Sequence, residues 1–103
     1  MSARNRLPHR RGSINFDVES QGLRFTVTAS RFADGALGEV FIVNHKVGTA
    51  AGILANDAAI AASLAMQFGC PAEVLRRALS RDSRGRAAGP LGVALDLLVK
   101  QES

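Results

Sequence analysis

Two runs of strict apolar–polar alternation, joined by the dipeptide Gln21-Gly22, constrain this chain more than any other feature. Ile14, Phe16 and Val18 alternate with Asn15, Asp17 and Glu19, and beyond the dipeptide Leu23, Phe25, Val27 and Ala29 alternate with Arg24, Thr26, Thr28 and Ser30. A period of two places the apolar residues of each run on one face of a strand. A glycine in so short a link favours a tight reversal. The pair is expected to form an antiparallel hairpin with one buried face. Asp34-Gly35 signals another turn, and Glu39 to Val43 is dense in β-branched and aromatic residues. A three-stranded meander follows.

The rest of the chain reads as helical. After Asn44 to Gly48, Thr49 or a neighbour is placed to cap a long helix running to about Phe68. Its eight alanines predict a largely buried helix with neighbours close to its backbone, while Asn56, Ser63 and Gln67 fall on one stripe. Gly69 suits a left-handed stop, and Pro71 opens a second helix carrying Glu73 and reaching about Ser80. The polar stretch from Arg81 to Gly89 is expected to be mobile, and Pro90 opens a last helix with Leu91, Ala94, Leu95 and Leu98 on one face. The fold class is therefore α+β, a three-stranded antiparallel meander followed by three helices, the first long and alanine-rich.

At 103 residues there is room for one domain with a modest core. We divide the chain into a flexible basic arm (1–12), one α+β domain (13–100) and a short tail (101–103). The net charge of +4 is carried by the arm: Arg4, Arg6, Arg10 and Arg11 precede the first acidic residue, leaving nine basic residues to balance nine acidic ones. A single cysteine, Cys70, excludes an internal disulfide and fits the cytoplasm. No signal peptide and no membrane span are expected.

The run Glu39-Val40-Phe41-Ile42-Val43, then Lys46, Gly48 and an alanine-rich helix ending Ser63-Leu64-Ala65-Met66-Gln67-Phe68-Gly69-Cys70-Pro71, with Val74 and Leu75 beyond, resembles the TSCPD domain. That domain occurs near the C-terminus of adenosylcobalamin-dependent ribonucleotide reductases and as small free-standing proteins. Leu7-Pro8, Arg10-Arg11 and Gly89-Pro90-Leu91 resemble the free-standing form. The match covers about Phe25 to Leu79. The Thr-Ser-Cys-Pro-Asp motif that names the family is absent. The family's ribonucleoside-diphosphate reductase activity needs a radical-forming cysteine and a redox pair, and one thiol is too few. The resemblance thus implies a non-catalytic accessory or ligand-binding domain whose partner is a reductase subunit or a nucleotide.

Among the residues themselves, His45-Lys46-Val47-Gly48-Thr49 lies where a strand feeds a helix, so that backbone amides, a lysine and a hydroxyl are placed to meet a phosphate. Asp57, about two turns into the helix, is either a hydrogen-bonded structural carboxylate or a member of that site. Arg10 and Arg11 of the arm, with Arg81, Arg84 and Arg86, form a candidate basic contact surface; a small nucleic-acid-binding protein is the alternative reading, without the aromatic interleaving that would strengthen it. A polar enzyme site around Lys46, Asp57 and Asn56 ranks last. His9, His45 and Cys70 give no metal-ligand spacing, and neither metal nor cofactor is expected. The edges of a three-stranded sheet leave room for a homo-oligomer.

Overall fold

A computed structural model describes residues 3–8, 12–46 and 48–100 of the chain. The meander forms as the alternation requires: β1 (Ser13–Ser20), β2 (Leu23–Arg31) and β3 (Leu37–Asn44) make one antiparallel sheet in the order β1-β2-β3. Ser20 pairs with Leu23 across a two-residue turn in which Gln21 and Gly22 both have positive φ, 55° and 75°. That is the hairpin turn whose twist matches the strands it joins. A register irregularity at Ser30/Arg31 interrupts the β2–β3 ladder before its last pair, Arg31 with Leu37. There Arg31 donates to the carbonyl oxygens of Gly35 and Leu98, tying the strand end to the last helix.

Three helices follow, α1 (Ala50–Gln67), α2 (Ala72–Ala78) and α3 (Pro90–Lys100). The inner face of the sheet carries Val18, Phe25, Val27, Ala29, Val40 and Ile42, all buried. Upon it lie Ala55, Ala59, Ala62 and Met66 of α1 and Leu91, Ala94, Leu95 and Leu98 of α3. α1 packs chiefly on β3 and α3 on β1. Burying a side chain such as Leu95 or Leu98 contributes about 1.5–3 kcal/mol. The other face of the sheet is solvent-facing, with Asn15, Asp17, Phe41 and Val43 exposed.

Ala55, Ala59 and Ala62 of α1 are buried on the sheet, and the helix also approaches the end of β3 closely. A Cβ on Gly52 would stand 2.9 Å from the Cβ of Asn44, so the helix backbone runs hard against the end of β3. One turn-set of the helix faces the sheet and the next faces the β3 edge, but Ile53, Leu54, Ile60 and Leu64 remain exposed. The expectation of a largely buried helix is thereby corrected: two stripes of small residues suffice for contact, and the rest of the circumference stays in solvent.

The connection between α2 and α3 also differs from expectation. Asp82 accepts from the backbone N–H groups of Arg84 and Arg86, its own N–H donates to the Arg86 carbonyl at 2.8 Å, and Arg81 forms a bridge with Ala87. A short aspartate-centred turn therefore closes the segment expected to be mobile. At the other end of the chain, Arg4 Nε donates to Gln67 Oε1 at 2.6 Å and the Asn5 amide to the Gln67 carbonyl. The start of the basic arm is thus docked on the end of α1. Arg10, Arg11 and the tail 101–103 lie outside the described residues.

Candidate functional site

The loop between β3 and α1 is organised by two side chains. Asn44, buried at the end of β3, accepts the Lys46 N–H at 2.8 Å and donates to the Arg24 carbonyl at 3.2 Å. Thr49 is the N-cap of α1, accepting the Gly52 N–H at 3.1 Å and donating back to the Lys46 carbonyl. Gly48, with φ +82°, takes the left-handed conformation that this reversal requires. The expected cap is therefore in place, but the amides of Lys46 and Gly52, natural donors to a phosphate, are already satisfied from within.

The structure divides the candidate residues of this loop. Lys46 and Gly48 line a 170 Å³ pocket together with Asn44, Gly52, Ile53 and Asn56. His45 turns the other way, onto the outer face of the sheet, where its Nε2 lies 2.9 Å from Thr26 Oγ1 and 3.9 Å from Asp17 Oδ1. Thr26 in turn donates to Asp17 at 2.8 Å. Because His45 and Asp17 both converge on the threonine hydroxyl and both are half exposed, the trio lacks the base-orienting order of a nucleophile triad. Asp57 is exposed on α1 and lines neither this pocket nor its neighbours. The condition under which it needed a buried partner is not met.

Of the basic residues expected to form a contact surface, Arg81 is turned inward. Its guanidinium grips Asp96 through Nη2 to Oδ1 at 2.8 Å and Nη1 to Oδ2 at 3.1 Å, and bonds the carbonyls of Arg76 and Gly85. Arg76 bridges the same Asp96 to Glu73. The cluster locks α2 to α3. The Arg76 hydrogen bond holds the Glu73 carboxyl down at about 2, and Arg81, with Arg76 behind it, holds Asp96 below its ordinary value. Arg86 pairs with Asp82 at 3.0 Å, while Arg84 is exposed. A basic cluster in the sequence is here largely a set of internal ties.

Two features escaped the sequence reading. Ser63 and Gln67 face the β3 edge: Ser63 Oγ lies 2.8 Å from Val40 N and 2.9 Å from its carbonyl oxygen, and Gln67 Nε2 donates to the Gly38 carbonyl at 3.0 Å. Their common stripe was legible; the strand edge that it serves was not. The second is an exposed apolar surface. Val43 and Ile53 meet at the 170 Å³ pocket, Phe41 follows Val43 on the outer face of β3, and Ile60 and Leu64 continue the stripe of Ile53 along α1. All five are at least 39% exposed, and spacings of seven and four residues in the helix were the signal for three of them.

Comparison with known proteins supplies a family connection. The chain is 39% identical over 70 residues to a vitamin B12-dependent ribonucleotide reductase of Agrobacterium fabrum, a match that covers 68% of this chain and 6% of that protein. It is 34% identical over 91 residues, 88% of this chain and 7% of the relative, to the vitamin B12-dependent ribonucleotide reductase of Bradyrhizobium diazoefficiens. For the enzyme of that name in Rhodopirellula baltica the figures are 35% over 72 residues, 70% and 7%. The chain therefore spans less than a tenth of the length of these relatives. No family model matches it, and no solved structure matches it significantly. No helix among the described residues is long and apolar enough to cross a membrane.

Proposed function

We propose that this chain, which resembles a part of vitamin B12-dependent ribonucleotide reductases, is a non-catalytic accessory module of that system and acts by binding the reductase. The observation that carries the reading is the breadth of the similarity, 68–88% of the chain against three such enzymes, in a sequence with one cysteine. A module without the thiols for reduction contributes through contact. The apolar surface running from Phe41 and Val43 across Ile53 to Ile60 and Leu64 supports contact with a protein better than with a nucleotide. The amides of Lys46 and Gly52 are occupied, and the pocket beside them is small.

Nucleic-acid binding receives less support, because Arg81 and Arg86 are engaged by Asp96 and Asp82. The test is a titration of the full chain against a purified vitamin B12-dependent reductase from the same organism, with a nucleoside triphosphate and a single-stranded oligonucleotide titrated separately. Saturable binding to the reductase supports the proposal. Binding to the nucleotide or oligonucleotide with none to the reductase contradicts it.

A further inference from the structure

On the opposite flank of α1 from the apolar surface lies a cleft of 360 Å³. Its floor is apolar, formed by Leu23 and Phe25 of β2, Ala55 of α1 and Leu91 of α3, and Leu54 stands at its mouth, 69% exposed. Small residues open the space: Ala51 and Ala58 line one wall, Gly89 and Gly92 the other. None of the fourteen lining residues is charged, in a chain where 21% of residues are. The few polar groups, Ser20, Gln21 and Ser80, belong to the β1–β2 turn and the end of the α2 segment. Clefts of about 300–1,000 Å³, mostly apolar with a few fixed polar groups, are the form that small-molecule sites take.

A residue in the left-handed backbone conformation, Gln21, borders the cleft. Gln21 has φ 55°, the only positive φ of a non-glycine among the described residues. In this conformation asparagine, aspartate or glycine is the usual choice. The length of glutamine has a use here: its Nε2 reaches the Ala88 carbonyl at 2.9 Å, fastening the hairpin turn to the loop before α3. Ala88 in turn donates its N–H to the Ser80 carbonyl at 3.0 Å. The side-chain amide of Gln21, a residue that lines the cleft, is thus fixed at its rim.

We propose that this cleft binds a small, uncharged, predominantly apolar molecule with a hydrogen-bond donor at one end, held between the floor residues Leu23 and Leu91 and Leu54 at the mouth, and oriented by Gln21. The absence of charge on its walls selects against phosphorylated ligands, which separates this site from any anion site at Lys46. It stands independently of the reductase reading.

Indole has the required chemistry, an uncharged ring body with one N–H, and serves as the probe. In a titration of the full chain followed by amide NMR, indole should give saturable shifts centred on Gln21, Ser80, Leu91 and Gly92, with a Kd of about 0.1–10 mM, as befits so few atoms. Ala58→Phe, which fills the cleft from an exposed helix position, should weaken binding about tenfold or more. Leu54→Ser, a change at the solvent-exposed mouth, should weaken it severalfold and serves also if the first variant fails to fold. Ile60→Ala, on the other flank of the helix, should leave the Kd unchanged. Absence of saturable shifts, shifts centred instead on Val43, Ile53 and Asn56, or equal affinity in the wild type and both cleft variants would overturn the proposal.

Discussion

The hydroxyl of Ser63 in α1 meets both backbone groups of Val40 in β3, at 2.8 Å from the nitrogen and 2.9 Å from the oxygen. Antiparallel pairing to β2 leaves these groups of Val40 facing outward, at the edge of the sheet. Both residues are buried, so no water replaces the serine. Ser63→Ala should therefore destabilise the protein by about 1–3 kcal/mol, the range for stranding a buried polar group. Urea unfolding measures this, with an unchanged slope showing that the effect lies in the folded state.

Gly52 sets the distance between α1 and the β3–α1 loop. A methyl group there would lie 2.9 Å from the Asn44 Cβ and 3.0 Å from Thr49 Oγ1, and neither is the free end of a long side chain. Gly52→Ala, in spite of alanine's better helix propensity, should cost about 1–3 kcal/mol through overpacking. Amide NMR should show the largest shifts at Asn44, Lys46 and Thr49.

The helical clamp makes stability depend on acid. Glu73 and Asp96 have folded-state values held below those of free carboxyls, chiefly by hydrogen bonds from Arg76 and Arg81 respectively, and Asp82 is lowered chiefly by the Arg86 backbone N–H. With depressed pKa values the folded protein binds fewer protons than the unfolded chain. The associated stability is therefore present in full above the unfolded carboxyl values, about 4, and is lost as pH falls through the folded ones. Urea midpoints should fall between about pH 5 and pH 2. Asp96→Asn should lower the midpoint at pH 7, since it breaks the fork to Arg81, and make the decline toward acid shallower.

The strands were legible in the sequence because period-two alternation leaves one choice of buried face, and Gln21-Gly22 fixed the register of the hairpin. The helix order followed from Thr49, Gly69, Pro71 and Pro90. What the sequence hid was contact between distant segments. Arg81 reads as a surface cation until Asp96, fifteen residues on, is seen to face it. The alanines of α1 suggested a largely buried helix, whereas the structure buries Ala55, Ala59 and Ala62 on the sheet and leaves Ile53, Ile60 and Leu64 exposed. His45 and Lys46 are adjacent in the chain but leave the strand end on opposite sides, His45 toward Thr26 and Asp17 and Lys46 toward the pocket beside Ile53.

The exposed apolar surface provides a way to separate binding from folding. Ile60 and Leu64 are each 41% exposed, so a change to lysine should alter stability by no more than about 0.5 kcal/mol. The same changes at the centre of an interface should weaken binding by about 2 kcal/mol or more. A double variant, Ile60→Lys with Leu64→Lys, should keep the wild-type circular dichroism and urea midpoint.

The most direct measurement is the dissociation constant for the full chain and a purified vitamin B12-dependent ribonucleotide reductase from the same organism, determined by calorimetry for the wild type and for that double variant. A saturable complex is expected with the wild type, and at least about a thirtyfold loss of affinity in the variant, equivalent to about 2 kcal/mol. No heat of binding with the wild type, or equal affinity in the two proteins, would contradict the proposed binding.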